Sequence, residues 1–411
     1  MGRKNKENEL ARLARTRASV EAGNMFRQAV EKYEQNPRSK VKNYETCLEN
    51  GILLGQLAEK KKDAEADRIY QMAFEQYEQS IQLNPDIYRA YSCWAVDLAN
   101  LGKRKKGDEA EALFRRSLEN FVKATQINQD NPDLYTNWGT VSGYLAQTKT
   151  GDEADELFRQ AFELYATALR IDPNFYKAYR NWATELVFFA KTKTGDEAEK
   201  MYRQALEKYD QAIRLDPKDD MTYANWGVNL NYLAELKTGD EAEALYRQSF
   251  EKYATAISLN PDCGKSYMNW GLGLGILAQQ KTDATAEAEA EALCREAVEK
   301  FEQAIRIHPN DYKGYFACGN IYVQLAQMKT GDEAEKYFRQ ANEKYNQALK
   351  LGGKCYYAAC QYAVRSNRAN ALLWLERSLK RKEYTTETVK NDEDWAACLT
   401  DPDFIALLDR Y

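Results

Sequence analysis

A tryptophan recurs every 44 residues through the middle of this chain. The tryptophans are Trp94, Trp138, Trp182, Trp226 and Trp270, and a glycine keeps the same interval at Gly107, Gly151, Gly195 and Gly239. Repetition at such a period predicts a stack of similar supersecondary units, in which each unit buries its apolar face against its neighbours. One unit and its copies therefore define the architecture, and a single globular core is excluded.

Each unit is predicted to contain two helices and a short junction. In residues 218–261 the first helix is expected from Tyr223 to about Leu236, and the second is expected to end near Leu259. Small and apolar residues of the second helix recur at helical spacing and form one stripe. That stripe consists of Ala242, Leu245, Tyr246, Ser249, Phe250, Tyr253, Ala256 and Ile257.

Sequence signals mark both ends of the second helix. A threonine and a glutamate three residues apart predict a capping box, in which the two side chains satisfy amides of the first turn. These pairs are Thr150 and Glu153, Thr194 and Glu197, Thr238 and Glu241, and Thr330 and Glu333. At the other end, proline disfavours helical geometry in the residue before it. The residues before proline are Asn84, Asp172, Asp216, Asn260 and His308.

The repeat divides the chain into four parts. Residues 1–40 are predicted to be a basic arm followed by a lone capping helix that matches the second half of a unit. Seven full units follow over residues 41–353, and the unit at 262–309 has four extra residues at its junction. Residues 354–382 are expected to form a short final hairpin, and residues 383–411 a C-terminal capping segment.

Composition excludes several classes of function. The formal net charge is −5, which disfavours general binding to phosphate backbones and predicts no nucleic-acid partner. The sequence contains no stretch of 18 apolar residues, so no membrane span is predicted. The single histidine, His308, stands at a helix end, and no cysteine or histidine spacing indicates a metal site. We therefore predict no enzymatic activity, no metal and no cofactor.

The residues of each unit resemble the tetratricopeptide repeat. Tyr135, Trp138 and Gly139 stand in the first helix, and Ala161, Tyr165, Ala168 and Pro173 follow in the pattern of the second. The family period is about 34 residues, so the units here are lengthened where the two helices join. Plant mitochondrial import receptors are similar in having lengthened repeats. Residues Asp394 to Leu408 resemble the closing segment of many bacterial tetratricopeptide proteins.

This resemblance implies an all-α, right-handed solenoid whose first helices line a concave groove. It also implies that an asparagine just before the tryptophan grips the backbone of an extended peptide, through the donors and acceptor of its amide. The alternative is an amide that bridges neighbouring helices. The asparagines at this position are Asn137, Asn181, Asn225 and Asn269.

Family geometry suggests further groove residues. The cations Arg89, Lys177, Arg180, Lys265 and Lys313 would favour an acidic or extended peptide, or else they are ordinary surface charges. The remaining candidates are Tyr144, Phe188, Asn231 and Tyr232. A repeated arginine of the second helix is expected to pair with a glutamate of the neighbouring unit. These arginines are Arg115, Arg159, Arg203, Arg247, Arg295 and Arg339.

The function predicted from these features is a non-enzymatic scaffold or adaptor that binds a protein or peptide partner. The alternative is a regulatory or inhibitory subunit that controls a partner enzyme. We expect a cytoplasmic location, because the eight scattered cysteines suit small buried positions in a reducing compartment. We also expect a monomer.

Overall fold

The fold is described by a computed structural model that covers residues 43–281, 286–365 and 367–411, without the side chain of Asp63. All regular secondary structure in these ranges is helical. The predicted basic arm and lone capping helix of residues 1–40 lie outside the described residues. No helix among those described is both long enough and apolar enough to cross a membrane.

The chain divides into two compact units, residues 1–194 and 195–411. Unit 1 contains seven described helices: α1 (Tyr44–Glu59), α2 (Asp63–Leu83), α3 (Tyr88–Gly102), α4 (Gly107–Ile127), α5 (Pro132–Ala146), α6 (Gly151–Ile171) and α7 (Tyr176–Ala190). The odd-numbered helices are the predicted first helices of their repeats, and the even-numbered helices are the second.

Unit 2 begins with a second helix. Its repeat helices are α8 (Gly195–Leu215), α9 (Asp220–Glu235), α10 (Gly239–Leu259), α11 (Gly264–Gln280), α12 (Glu287–Ile307), α13 (Tyr312–Gln327) and α14 (Gly331–Lys350). A shorter pair follows, α15 (Cys355–Val364) and α16 (Arg368–Lys380). The chain closes with α17 (Thr386–Lys390), a 3₁₀ helix (Glu393–Cys398) and α18 (Pro402–Leu408).

Within each unit, consecutive helices pack on each other as far as α16, and the first helices of neighbouring repeats also touch one another. The first helices therefore share one face of each unit, which we call the first-helix face. Such repetition of adjacent helix pairs is an all-α solenoid.

The second helices end where proline predicts. The amides of Asn84, Asp172, Asp216, Asn260 and His308 each donate to the carbonyl four residues earlier, and these bonds close the last turns. Asn84, Asp172 and Asn260 already have extended backbone conformation. The residue before each proline thus leaves the helix, as its steric restriction requires.

Glycine lets the two helices of a repeat approach closely. A Cβ atom on Gly227 would lie 2.5 Å from the ring of Tyr253, and one on Gly139 would lie 3.0 Å from Tyr165. Tyr165 and Tyr253 are fully buried. The aromatic ring of the second helix therefore occupies the space that any larger first-helix side chain would need.

The predicted capping boxes are wrong at three junctions. Thr150, Thr238 and Thr330 precede their helices but make no capping hydrogen bond with their side chains. The reason is the glycine that follows each of them. Gly151 and Gly239 have φ angles of +62° and +59°, and this left-handed turn redirects the chain between the threonine and the first-turn amides.

Glu153 and Glu241 of these boxes are held in rings of alternating charge. Lys149 lies 2.9 Å from Glu111 and 3.3 Å from Glu153, while Arg115 lies 2.8 Å from Glu111 and 3.4 Å from Glu153. Side-chain hydrogen bonds from Lys149 and Arg115 lower the pKa of Glu111. Equivalent rings join Lys237, Glu199, Arg203 and Glu241, and Lys281, Glu243, Arg247 and Glu289.

These rings confirm the predicted pairing with a neighbouring repeat for Arg115, Arg203 and Arg247. Arg159 and Arg295 instead pair with Glu156 and Glu291 of their own helices. Because the arginines of these rings are about half exposed, solvent weakens their ion pairs, and each pair contributes little to stability by itself. Four alternating charges at one place nevertheless fix which turn of one second helix faces the next junction. The rings therefore set the register between consecutive repeats.

The C-terminal segment packs against the last helix pair. Trp395 and Phe404 are buried and stack with ring centroids 5.2 Å apart. Arg368 at the start of α16 pairs with Asp401 and Asp403. Tyr356 of α15 donates its hydroxyl proton to Asp392 at 2.7 Å. The apolar end of the helix stack in unit 2 is thereby covered.

We predict that Gly239→Ala lowers the free energy of unfolding by about 1 kcal/mol, because an L-residue is strained at this left-handed angle. Asparagine tolerates that region, so Gly239→Asn should cost clearly less. No atom outside its chain neighbours lies within 4 Å of a Cβ built on Gly239, and crowding cannot contribute. Denaturant unfolding followed by circular dichroism measures both. Equal losses for the two variants would contradict the backbone explanation.

Candidate functional site

A cavity of about 360 Å³ opens on the first-helix face of unit 1. We call it the unit 1 cavity. Its walls come from α1, α2, α3 and the start of α5. The lining residues are Ile52, Gln56, Glu59, Tyr77, Tyr88, Arg89, Ser92, Cys93, Val96, Asp97, Asn131, Asp133, Leu134 and Asn137. Because these helices belong to three successive repeats, the cavity exists only in the stacked form.

Acidic groups outnumber basic ones in this lining. Glu59, Asp97 and Asp133 face a single cation, Arg89. Glu59 accepts a hydrogen bond from the Asn100 amide at 2.7 Å. Among the described residues, Arg89 forms no ion pair with any of the three carboxylates. The cavity therefore carries a negative balance beside amide and aromatic groups.

Asp97 is the buried carboxyl of the unit 1 cavity, with a residue exposure of 7%. The Tyr77 hydroxyl donates to its Oδ2 at 2.8 Å. Gly55 of the preceding first helix makes room for it, because a Cβ there would collide with the carboxyl group. Burial raises the pKa of Asp97 to about 7; the Tyr77 hydrogen bond opposes that rise and the Glu59 charge adds to it.

Glu185 is a second buried carboxyl in unit 1, and it has the same repeat position as Asp97. It faces Gly143 as Asp97 faces Gly55. Burial raises the pKa of Glu185 to about 8, and a weak 3.5 Å hydrogen bond from Gln147 opposes the rise. Glu185 is not part of the unit 1 cavity lining. Both carboxyls are therefore buried, but only Asp97 lines the unit 1 cavity.

Sequence reasoning missed both carboxyls, although a signal was present. Each stands where the neighbouring repeat has an apolar residue, Val141, and each has a glycine 42 residues earlier. A charged residue on the buried stripe of a first helix, paired with a glycine at that spacing, would have indicated them.

The four predicted asparagines are placed differently. Asn137 lines the unit 1 cavity. Asn181 donates to the Thr140 hydroxyl at 3.2 Å and accepts from the Arg180 guanidinium at 3.1 Å, so it links α7 to α5. Asn225 and Asn269 are partly buried on α9 and α11 of unit 2. The bridging interpretation therefore describes Asn181, and the groove interpretation suits Asn137.

The predicted cations also divide. Lys177 lies 3.7 Å from Asp133 at the edge of the unit 1 cavity. The Arg180 guanidinium lies over the Tyr176 ring at 5.9 Å. Lys265 is exposed near the start of α11, and Lys313 lines a cavity in unit 2. No cluster of cations forms among these four residues within either unit.

The remaining predicted groove residues are three aromatic residues and Asn231, and two of the aromatic rings pack between repeats. Tyr144 lies against Phe114, with ring centroids 6.0 Å apart, and Tyr232 stacks on Tyr202 at the same separation. Both partners belong to the second helix of the preceding repeat. Asn231 donates to the Tyr253 hydroxyl at 3.2 Å. Phe188 is 36% exposed on α7, and none of these four residues lines the unit 1 cavity.

Unit 2 has a larger cavity, of about 580 Å³, where α13 and α15 meet the C-terminal segment. We call it the unit 2 cavity. It is lined by Tyr312, Lys313, Phe316, Ala317, Asn320, Tyr356, Tyr357, Cys360, Gln361, Tyr384, Asp392 and Asp394. Aromatic rings again stand beside carboxylates, an amide and one lysine. The α13 and α15 residues place this cavity on the first-helix face of unit 2.

Cys360, Asp392 and Asp394 lie close together in the unit 2 cavity, with ligand atoms within 4.8 Å of one another. Burial raises the pKa of the Cys360 thiol to about 12, and the two nearby carboxylates raise it further. The thiol is therefore protonated at neutral pH in the metal-free protein. We assign no metal to this group.

We predict that Asp97→Asn combined with Glu185→Gln makes stability less dependent on pH. Between about pH 4, where such carboxyls ionise in an unfolded chain, and their raised folded pKa values, the folded protein keeps both protons. Its free energy of unfolding should thus fall by about 1.4 kcal/mol per pH unit for each carboxyl as pH rises, until the folded pKa is passed.

The measurement is the denaturation midpoint at pH 5, 6, 7 and 8 for the natural chain and the double variant. A matched control replaces two exposed carboxyls of unit 1, Asp130→Asn and Glu163→Gln. The control should follow the natural chain. Parallel pH curves for the natural chain and the buried-site variant would show that neither carboxyl keeps its proton on folding.

Comparison with known proteins finds one family match over part of the chain. Residues 243–357 match the family described as plant specific mitochondrial import receptor subunit TOM20, which is 115 of the 411 residues. No curated protein sequence matches the chain significantly.

Several solved structures are similar to parts of this chain at low sequence identity. A crystal structure of MamA is 21% identical, with 48% of this chain and 93% of that chain covered and a TM-score of 0.34. YrrB, described as a TPR protein with an unusual peptide-binding site, is 16% identical over 59% and 96%, with a TM-score of 0.34. PilF of Pseudomonas aeruginosa is 18% identical over 65% and 96%, with a TM-score of 0.42.

The repeated aromatic, glycine, alanine and proline positions stand in consecutive helix pairs, as that repeat requires. The chain is an all-α solenoid of helix pairs that resemble tetratricopeptide repeats, with most repeats lengthened to 44 residues.

Proposed function

We propose that this chain is a non-enzymatic scaffold that holds an extended segment of a partner protein on its first-helix face. The observation that carries the proposal is the unit 1 cavity, where Asn137 stands beside carboxyl and aromatic groups from three successive repeats. Ligand sites are concave and combine apolar walls with a few polar groups that fix orientation. The unit 2 cavity repeats this combination at the other end of the chain.

Asn137 suits the recognition of a peptide backbone. A primary amide can donate to a peptide carbonyl and accept from a peptide N–H at the same time. Ile52, Val96 and Leu134 supply the apolar part of the same cavity. An extended segment would place its backbone along the amide and alternate side chains into the cavity.

Two further features support a binding role. The match of residues 243–357 is to an import receptor subunit, and a receptor of that kind acts by binding other proteins. His308, the single histidine of the sequence, stands at the end of α12 with its ring beside Gly264. This position suits a turn residue rather than a general base.

We also propose that the chain acts in the cytoplasm. The eight cysteines are unpaired, and Cys47, Cys294, Cys318, Cys355 and Cys360 are buried. Free buried thiols are typical of a reducing compartment. Fractionation of the source cells, followed by detection of the chain, tests this placement.

We predict that Val96→Trp weakens partner binding by about tenfold or more, which corresponds to about 1.4 kcal/mol. The indole would occupy the unit 1 cavity and exclude the partner segment. The partner is first captured on the tagged full-length chain, identified by mass spectrometry and purified. Calorimetric titration then gives its affinity for the natural chain and the variant.

Val122→Trp is a matched control. Val122 lies on the second helix α4, is 37% exposed like Val96, and is not part of either cavity lining. The control should bind with unchanged affinity. Equal affinities of both variants and the natural chain would remove the unit 1 cavity from the interface. A captured enzyme whose activity changes on binding would instead favour the regulatory-subunit alternative.

A further inference from the structure

We propose that the unit 1 cavity binds a cationic side chain, an arginine or lysine of the partner segment, with the Asp97 carboxylate as its anion. The inference deepens the proposed function and rests on it for the identity of the partner. The cation site itself rests on the geometry and charge of the cavity, so it is open to a separate test.

The charge of the lining favours a cation. Glu59, Asp97 and Asp133 stand against Arg89 alone. Lys177 already approaches Asp133 from the edge at 3.7 Å, which shows that cationic groups can reach this side of the cavity. An acidic peptide, which the predicted cations would have favoured, would meet the carboxyls of Glu59 and Asp97 here, whereas Asp133 already has Lys177 beside it. Like charges brought together in this way oppose binding.

Asp97 has capacity for a ligand. Tyr77 donates to Oδ2, and among the described residues no hydrogen-bond donor reaches Oδ1. A carboxylate can accept several hydrogen bonds, and a guanidinium offers donors in a fork that matches it. A buried charge is stabilised when it is paired and hydrogen-bonded. An incoming arginine or lysine would supply that pairing.

Aromatic side chains complete the cavity. Tyr77 and Tyr88 both contribute to its lining. The face of an aromatic ring attracts a cation, and this attraction grows when the cation is removed from water. The apolar parts of Ile52, Val96 and Leu134 would meanwhile contact the aliphatic stem of an arginine or lysine.

Binding should be coupled to the proton of Asp97. Several groups face this carboxyl: Glu59 from α1, Tyr70 and Tyr77 from α2, and Cys93 and Arg89 from its own helix. Burial raises the pKa of Tyr70, Tyr77 and Cys93, so these three stay neutral near pH 7. The pKa of Asp97 is about 7, and a bound cation would lower it by favouring the ionised form.

The expected pH dependence follows from that coupling. A carboxyl with a pKa of about 7 is roughly one-tenth ionised at pH 6 and roughly nine-tenths ionised at pH 8. A cation that binds the ionised form should therefore bind about tenfold more tightly at pH 8 than at pH 6. This pH profile is measured on the natural chain and needs no variant.

The test uses the peptide N-acetyl-Ala-Arg-Ala-amide on the full-length chain, with affinity obtained from saturation-transfer NMR titrations at pH 6 and pH 8. N-acetyl-Ala-citrulline-Ala-amide is the uncharged probe of nearly the same shape. We expect the arginine peptide to bind, the citrulline peptide to bind at least tenfold more weakly at pH 8, and the arginine affinity to fall about tenfold at pH 6.

Asp97→Asn should weaken the arginine peptide at least tenfold at pH 8 and remove its pH dependence. Glu185→Gln is the matched control, because it removes an equally buried carboxyl outside the unit 1 cavity. It should bind as the natural chain does. Circular dichroism verifies that both variants fold. If Asp97→Asn fails to fold, the pH profile of the natural chain still tests the cation site.

Three outcomes would overturn the cation site: no arginine binding at pH 8, equal binding of citrulline, or equal binding by the Asp97→Asn variant. The captured partner separates this failure from failure of the scaffold proposal. A partner that loses affinity with Val96→Trp but keeps it with Asp97→Asn would leave the groove in place without the cation. Binding of the arginine peptide, with no protein partner captured, would support the cation site and contradict the scaffold proposal.

Discussion

The close approach of the two helices in each repeat is the contact on which the rest of the fold depends. Gly227 gives the ring of Tyr253 a place against the first helix, and Gly139 does the same for Tyr165. Rings that are fully buried in this way contribute large apolar areas. Because the helices of a pair are held close, the first helices of successive repeats can meet on one face, and the cavities form there.

Polar side chains are tolerated inside the helix stack because a glycine leaves room for them or a backbone group forms a hydrogen bond with them. Gly55 and Gly143 leave room for Asp97 and Glu185, and the Asn229 amide donates to the Tyr202 carbonyl at 2.9 Å. A buried carboxyl avoids the large cost of burying a charge by keeping its proton. The carboxyl of Asp97 also lines the unit 1 cavity, so a ligand in the cavity can reach it.

Sequence reasoning predicted the helix pairs well and the side-chain contacts poorly. Helix ends at Asn84 or Asp172 depend on the neighbouring proline, so the information lies within two residues. The capping boxes failed because a glycine with a left-handed φ angle follows each threonine. Glu153 instead pairs with Lys149 and Arg115, and Arg115 lies 38 residues away in the chain. Among the asparagines, the same side chain serves a cavity at Asn137 and a helix bridge at Asn181, and no local pattern distinguishes them.

The sequence by itself determined the repeat period, the two helices of each repeat and where the second helices end. These features depend on spacing and on steric effects between adjacent residues. The tertiary structure alone decided which carboxyls are buried, where the junction charges pair and which groups line the cavities. Those outcomes require side chains about 40 residues apart to meet, as Asp97 meets Gly55, and only stacking of successive repeats brings them together.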